Sequence, residues 1–231
     1  SPLKPILFNI LINLSFLYGQ SFWPGEISFQ YSGLENGNFS AQSLPDSLEL
    51  PTEGTLASIT MDSLGGENII IPSFMQNEIN LATYDVFILY IKDDDGVIEN
   101  QSWDVDLIDA ENIFGIDATM IFMTEVDTLF LLSLIDPLLN GEVNTENWNE
   151  YITGVFTTIL VNSYLPVSGT ISITQASEES IIGSFSGLMG ELGWPPQIIY
   201  IDDGLFQYGN PLAVPNPEPP SNQSIKRQLF S

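Results

Sequence analysis

The stretch NTENWNEYITGVFTTILVNSYLP (Asn144–Pro166), continued by VSGTISITQASEESIIGSFSG (Val167–Gly187), decides the reading of the fold, because helix, stop and hairpin signals follow one another within it. Trp148, Tyr151, Ile152, Val155, Phe156 and Ile159 recur at three- and four-residue spacing, while Glu146, Asn149, Glu150, Thr153 and Thr157 fall on the other side. That spacing predicts an amphipathic helix over about 145–164 with one buried face. Asn144 or Thr145 can accept from the first free backbone amides, Glu146 suits the positive end of the helix dipole, and Pro166 forbids continuation past Leu165. Beyond Pro166 the period falls to two. Ile171 and Ile173 alternate with Thr170, Ser172 and Thr174, the polar run Gln175 to Ser180 turns the chain, and Ile182 to Gly187 returns as a partner strand. The glycines of the return strand, Gly183 and Gly187, suggest bulges or close backbone approach. The unit implied is a helix lying on an antiparallel sheet.

The same strand grammar recurs near the other end of the chain. From Gly25 to Ser32, Ile27, Phe29 and Tyr31 alternate with Glu26, Ser28, Gln30 and Ser32, and Asn36-Gly37 predicts a tight two-residue hairpin turn before Phe39 and Ala41. Gly25-Glu-Ile-Ser-Phe and Gly37-Asn-Phe-Ser-Ala parallel Gly169-Thr-Ile-Ser-Ile and Gly183-Ser-Phe-Ser-Gly. Two copies at unequal spacing make related hairpins rather than a solenoid. The pattern resembles hairpins of uncharacterised exported β-sandwich proteins of bacterial envelopes, which pair a G-x-[IV]-x-[IF] strand with a G-x-F-x-[AG] strand. The resemblance covers the two hairpins and implies location and fold, with no activity attached.

Between these hairpins, Gly54 to Met61, Asn68 to Pro72 and Thr83 to Ile91 read as strands. The unbroken apolar run Val86 to Ile91 predicts a central strand covered on both faces, and Ile116 to Met123 has the same character. Thr128 to Ile135 reads as a short helix capped by Asp127 and stopped by Pro137. After Gly187, Ile198–Ile201, the turn Asp202-Asp203-Gly204 and Leu205–Tyr208 read as a third hairpin. The whole is mainly β, with α+β as the variant: an antiparallel β-sandwich carrying the helix on a face or edge.

Domain boundaries follow from composition. Lys4 and the apolar run Ile6 to Tyr18 have the charged start and apolar middle of a signal peptide, with cleavage expected near Gly19 or Gln20, and the run is shorter than the about 20 residues of a transmembrane anchor. The alternative is a hydrophobic first strand or helix docked on the domain. Residues 21–209 then form a single β-rich domain. Pro211, Pro215, Pro217, Pro219 and Pro220 mark 210–231 as a flexible tail, in which Lys226-Arg227 reads as a frayed terminus or a fragment of a docking signal.

Charge and missing residue types exclude whole classes of function. Thirty acidic and four basic residues leave a net charge of -26, and Lys92 is the lone cation between Lys4 and Lys226. Nucleic acid is thereby excluded as a partner, since its phosphates need Lys or Arg. Such a field favours a saline or calcium-containing setting, or serves solubility. With no Cys and no His, thiol chemistry, His-dependent triads and His-ligated metals are absent, leaving carboxylates, hydroxyls, Tyr and Lys92.

Asp93, Asp94 and Asp95 before Gly96 put three carboxylates on one turn, the oxygen-rich chemistry that calcium takes. The EF-hand pattern fails there, since Gly96 at its sixth position would make Ile91 the first and Ser102 the twelfth. A solvated acidic turn is the plainer reading. Asp104, Asp106 and Asp109 beside Trp103 could supply a glycosidase pair or mark the wet face of an edge strand, which is the simpler account. Asp202-Asp203 is explained by turn geometry. Trp23, Trp103, Trp194, Tyr200 and Tyr208 would suit a sugar-stacking surface or a buried core. The expectation is a noncatalytic exported or cell-envelope domain, secreted, periplasmic or at the cell surface, with a binding or assembly role toward a protein or glycan and help from calcium. The alternative is a carboxylate-dependent carbohydrate-active enzyme or carbohydrate-binding module.

Overall fold

The computed structural model describes residues 21–43, 52–55, 57–61, 66–93, 96, 98–105, 116–127, 129–130, 163–191 and 196–210. They form a 12-stranded sheet in which every pair is antiparallel. In chain order the strands are β1 (Ser21–Trp23), β2 (Gly25–Gly33), β3 (Gly37–Gln42), β4 (Glu53–Thr55), β5 (Ala57–Met61) and β6 (Glu67–Gln76). They continue as β7 (Thr83–Asp93), β8 (Ser102–Asp104), β9 (Ala118–Asp127), β10 (Tyr164–Ala176), β11 (Ser180–Glu191) and β12 (Ile198–Gly209).

The sheet order, β1-β5-β6-β7-β9-β10-β11-β12-β2-β3, returns on itself, because β1 and β2 are one chain bent at Pro24. At one end β1 pairs with β5; at the other β3 lies beside β4 and β6, where the Ser40 amide donates to the Met75 sulfur at 3.4 Å. The expected sandwich is therefore replaced by a single sheet curled into a near-barrel. The reason is the nonlocal β12–β2 pairing, with Phe206 opposite Ile27 and Ile201 opposite Tyr31, which joins the two ends of the domain and leaves no second sheet to stack.

Aromatic side chains from opposite walls fill the interior. Phe29 on β2 lies 4.9 Å from Phe39, 4.7 Å from Phe87, 5.3 Å from Phe122 and 5.7 Å from Phe185, ring centre to ring centre. These partners stand on β3, β7, β9 and β11, so the rings meet across the axis as a packed core. One polar chain crosses it: Tyr208 Oη lies 2.6 Å from Thr55 Oγ1, which lies 2.7 Å from Ser73 Oγ. A second apolar cluster sits on the outer wall, where Val86, Ile116, Ile121, Met123, Val126 and Leu165 are buried and Phe74, Tyr84, Ile88 and Phe130 pack against them. The strand run from Val86 is buried on its inner face and only partly covered on its outer one, where Val86 is buried but Ile88 and Tyr90 are half-buried, whereas β9 is buried on both faces from Ala118 to Met123.

The β2–β3 and β10–β11 hairpins form where the sequence places them, with different turns and registers. Asn36-Gly37 is not the expected two-residue turn. Gly37 already pairs with Tyr31, and the longer loop is closed by Gly33 at φ 138, whose amide donates to Asn36 Oδ1 at 3.2 Å. The third expected hairpin is instead one strand, β12, with Asp202-Asp203-Gly204 as a bulge: Asp203 has φ 52, both acids point outward, and the inward face passes from Ile201 to Gly204, Phe206 and Tyr208. Asp-Gly supplies left-handed geometry equally well to a bulge and to a turn, and the Phe185 ring packs where a Gly204 Cβ would stand. Pro72 lies inside β6, at the changeover from β5 to β4, where the ladder on that side is interrupted.

The amphipathic stretch expected as a helix lies outside the described residues, apart from its last two positions, and those correct the boundary: Ser163 is a bend and Tyr164 opens β10. The second expected helix is represented by Leu129 and Phe130, helical in conformation, with the Leu129 amide donating to Asp127 Oδ1 at 2.6 Å as a cap should. Residues 1–20 and 211–231, read as signal peptide and tail, also lie outside the described residues.

Candidate functional site: two ends of the barrel

Antiparallel register sorts the loops into two ends. One end carries the β7–β8 connection and the Ser177–Ser180 turn; the other carries the β2–β3 turn, the β6–β7 turn, the end of β9 and the starts of β10 and β12.

The acidic turn predicted as a cation site lies at the first end. Asp93 closes β7 and its Oδ2 accepts from Gln101 Nε2 at 2.7 Å, while Asp94 and Asp95 lie outside the described residues. Glu67 stands beside it, accepting from the Ile98 amide at 2.7 Å; burial raises its pKa, the Ile98 bond lowers it, and the Asp93 charge raises it. Among the described residues, no three His, Cys, Asp or Glu side chains converge as a metal cage. Asp104 is exposed on the short strand β8, opposite Thr170, with Val105 buried beyond it, which is the edge-strand arrangement; Asp106 and Asp109 lie outside the described residues.

The aromatic residues do not share one surface. Trp23 and Tyr208 belong to the interior core, Trp103 is half-buried against it, Tyr200 faces outward with 52 % exposure, and Trp194 lies outside the described residues. Burial pushes the Tyr208 phenol well above its usual range, partly offset by its Thr55 and Ser73 bonds. This chain of side chains serves packing.

The second end holds a constellation that the sequence reading missed. Asp85 is only 2 % exposed, and its Oδ1 accepts from Asn77 Nδ2 and from the Glu125 amide, both at 3.0 Å. Asn77 Oδ1 in turn accepts from the amides of Ile79 and Asn80, both at 2.9 Å. One carboxyl thus ties the β6–β7 turn to β9, where Glu125 sits at φ 54 beside a register shift. Glu35 reaches toward the same region, beside the Thr124 side chain. Partial burial raises its pKa, the Thr124 side chain lowers it, and the charges of Glu125, Asp85 and Glu191 raise it further.

Tyr31 and Tyr164 line this end around Phe122: Tyr31 meets its ring edge-on at 5.1 Å and Tyr164 stacks on it at 6.4 Å. Burial first, then neighbouring carboxylates, pushes both phenols up to about 12. The arrangement is acidic, aromatic and held by a buried pin; it can attract and orient a cation. The readable signal was Asp85 itself, an acid set directly before the apolar run Val86–Ile91.

Comparison of the chain with protein-family models, with curated proteins and with solved structures finds no match in any of the three.

Proposed function

We propose that this chain is a noncatalytic domain of the exported or cell-envelope compartment, with a binding or assembly role toward a protein or glycan. The observation that carries the reading is the filled barrel: Phe29, Phe87, Phe122 and Phe185 occupy the axis, which leaves recognition to the outer surface and the ends. The outward residues of β2, Glu26, Ser28, Gln30 and Ser32, are polar and exposed, so this wall faces water and not lipid. The reading includes a signal peptide over residues 1–20, the amphipathic helix from about 145 and ending before the bend at Ser163, with the outer cluster around Ile121 as partner for its apolar stripe, and calcium at Asp93, Asp94 and Asp95 as an aid to stability.

The test is a panel of glycans and envelope proteins screened for both binding and turnover, with export followed by cell fractionation. Saturable binding without hydrolysis, from protein found outside the cytoplasm, is the expected outcome. Hydrolysis of any glycoside that disappears in Asp104→Asn would transfer the chain to the carbohydrate-active alternative. For calcium, millimolar addition at constant ionic strength should raise the Tm, and Asp93→Asn with Asp95→Asn should abolish the increment; no rise beyond that of sodium chloride would remove the ion.

A further inference from the structure

The barrel end that carries Asp85 combines exposed apolar side chains with several carboxylates. Its turns expose large apolar side chains: Leu34 on the β2–β3 turn, Ile79 and Leu81 on the β6–β7 turn, and Leu129 after β9, with Ile79 exposed to 93 %. Between them stand Glu35, Glu78, Glu125 and Glu191, while the one Lys or Arg among the described residues, Lys92, lies near the far end of β7. Tyr164, 5 % exposed, lies beneath them beside Glu35 and Glu191.

We propose that this end of the barrel docks a cationic amphipathic segment of a partner protein. Apolar side chains of the segment cover Leu34, Ile79 and Leu81, and its Lys or Arg groups meet Glu35, Glu78 and Glu125. A cation seated there also lies beside the half-buried ring of Tyr31, whose quadrupole adds attraction. Charge complementarity selects the partner. Carboxylates repel an anionic bilayer and resist desolvation against a neutral one, so a membrane is the poorer occupant of the same apolar tips. The pin from Asp85 to Asn77 and to the Glu125 amide holds the β6–β7 turn against β9, so little ordering cost for that turn falls on binding. The proposal rests on the binding role argued above and gives it a location and a partner chemistry.

The test uses the full chain and a synthetic helical Leu/Lys amphipathic peptide, titrated by calorimetry at about 0.15 M salt, where long-range charge effects are screened beyond about 8 Å. Two variants alter this end, Leu34→Ser/Ile79→Ser/Leu81→Ser and Glu35→Gln/Glu78→Gln/Glu125→Gln; a third, Glu99→Gln/Glu178→Gln/Glu179→Gln, removes as many charges at the opposite end. All the altered side chains are exposed, and cooperative melting with the wild-type circular dichroism spectrum establishes that each variant folds. The first two should weaken binding by about tenfold or more, and the third by less than about twofold.

Equal losses in the two charge variants would reduce binding to the overall field and overturn the site. So would binding that survives loss of the apolar tips, or binding of phosphatidylcholine vesicles through those tips. A gain in peptide affinity in Lys226→Glu/Arg227→Glu would give the end to the chain's own terminus and remove the partner. Any of these failures leaves the broader binding role standing if a ligand from the glycan and protein panel binds the end variants undiminished; loss of all binding in the wild-type chain sinks both.

Discussion

β2 and β9 stand on the same barrel, contribute Phe29 and Phe122 to the same aromatic core, and meet opposite fates on their outer faces. On β2 the burial pattern alternates, with Ile27 and Phe29 inward and Glu26, Ser28, Gln30 and Ser32 exposed. On β9, Ala118, Met120 and Phe122 face inward, and Thr119, Ile121 and Met123 are buried as well on the outside. One wall is wet and the other carries a second core. Hairpins with one polar face can close a barrel, but Ile121 at 1 % exposure must lose several contacts at once if its cover is removed. The acidic surface is therefore compatible with an apolar wall, because among the described residues no Asp, Glu or Lys lies in the outer cluster around Ile121.

Substitutions can break this contrast. Phe122→Ala, at 0 % exposure in the shared core, should cost about 3–5 kcal/mol in denaturant unfolding. Met123→Ala on the covered outer face should cost about 2–5 kcal/mol, a figure that a merely half-wet wall would not reach. Tyr208→Phe removes one end of the interior bond to Thr55 and should cost about 0.5–1.5 kcal/mol.

Smallest is Glu35→Gln, with a defined sign. The folded-state pKa of Glu35 is raised above the ordinary 4.5, so its protonated form contributes stability below that value, and the contribution is lost as pH rises through the folded-state pKa. The glutamine variant should consequently melt slightly higher than wild type at pH 7, and the two should converge near pH 4. A variant less stable at pH 7 would contradict the assignment.

Legibility in the sequence followed the range of the interactions. The alternation of β2, the buried inner face of β7 and the β10–β11 hairpin are local patterns, and Ile27, Phe87 and Ile171 declare them without help from the rest of the chain. Closure was illegible, because nothing near Phe206 announces that it will face Ile27 across nearly the whole length of the domain. Asp202-Asp203-Gly204 misled for a related reason. Local chemistry specifies a left-handed backbone, but the neighbours β11 and β2, continuous past the site, decide that it is a bulge. The acidic, aromatic end was partly legible in Asp85, whereas Glu35, Thr124 and Tyr164 come together only through the register of four strands and a turn.

The asymmetry of the two walls is tested most directly by adding the same charge to each. Ile121→Asp and Ser28→Asp both place one new carboxylate on an outward-facing position of a strand, so the general repulsion of the acidic field is matched between them. Equilibrium denaturation should show Ile121→Asp losing roughly 4 kcal/mol or more, as burial of an unpaired charge demands, and Ser28→Asp shifting by no more than about 0.5 kcal/mol. Equal, small shifts in both would mean that the outer face of β9 is as wet as that of β2, and the two-walled account would be wrong.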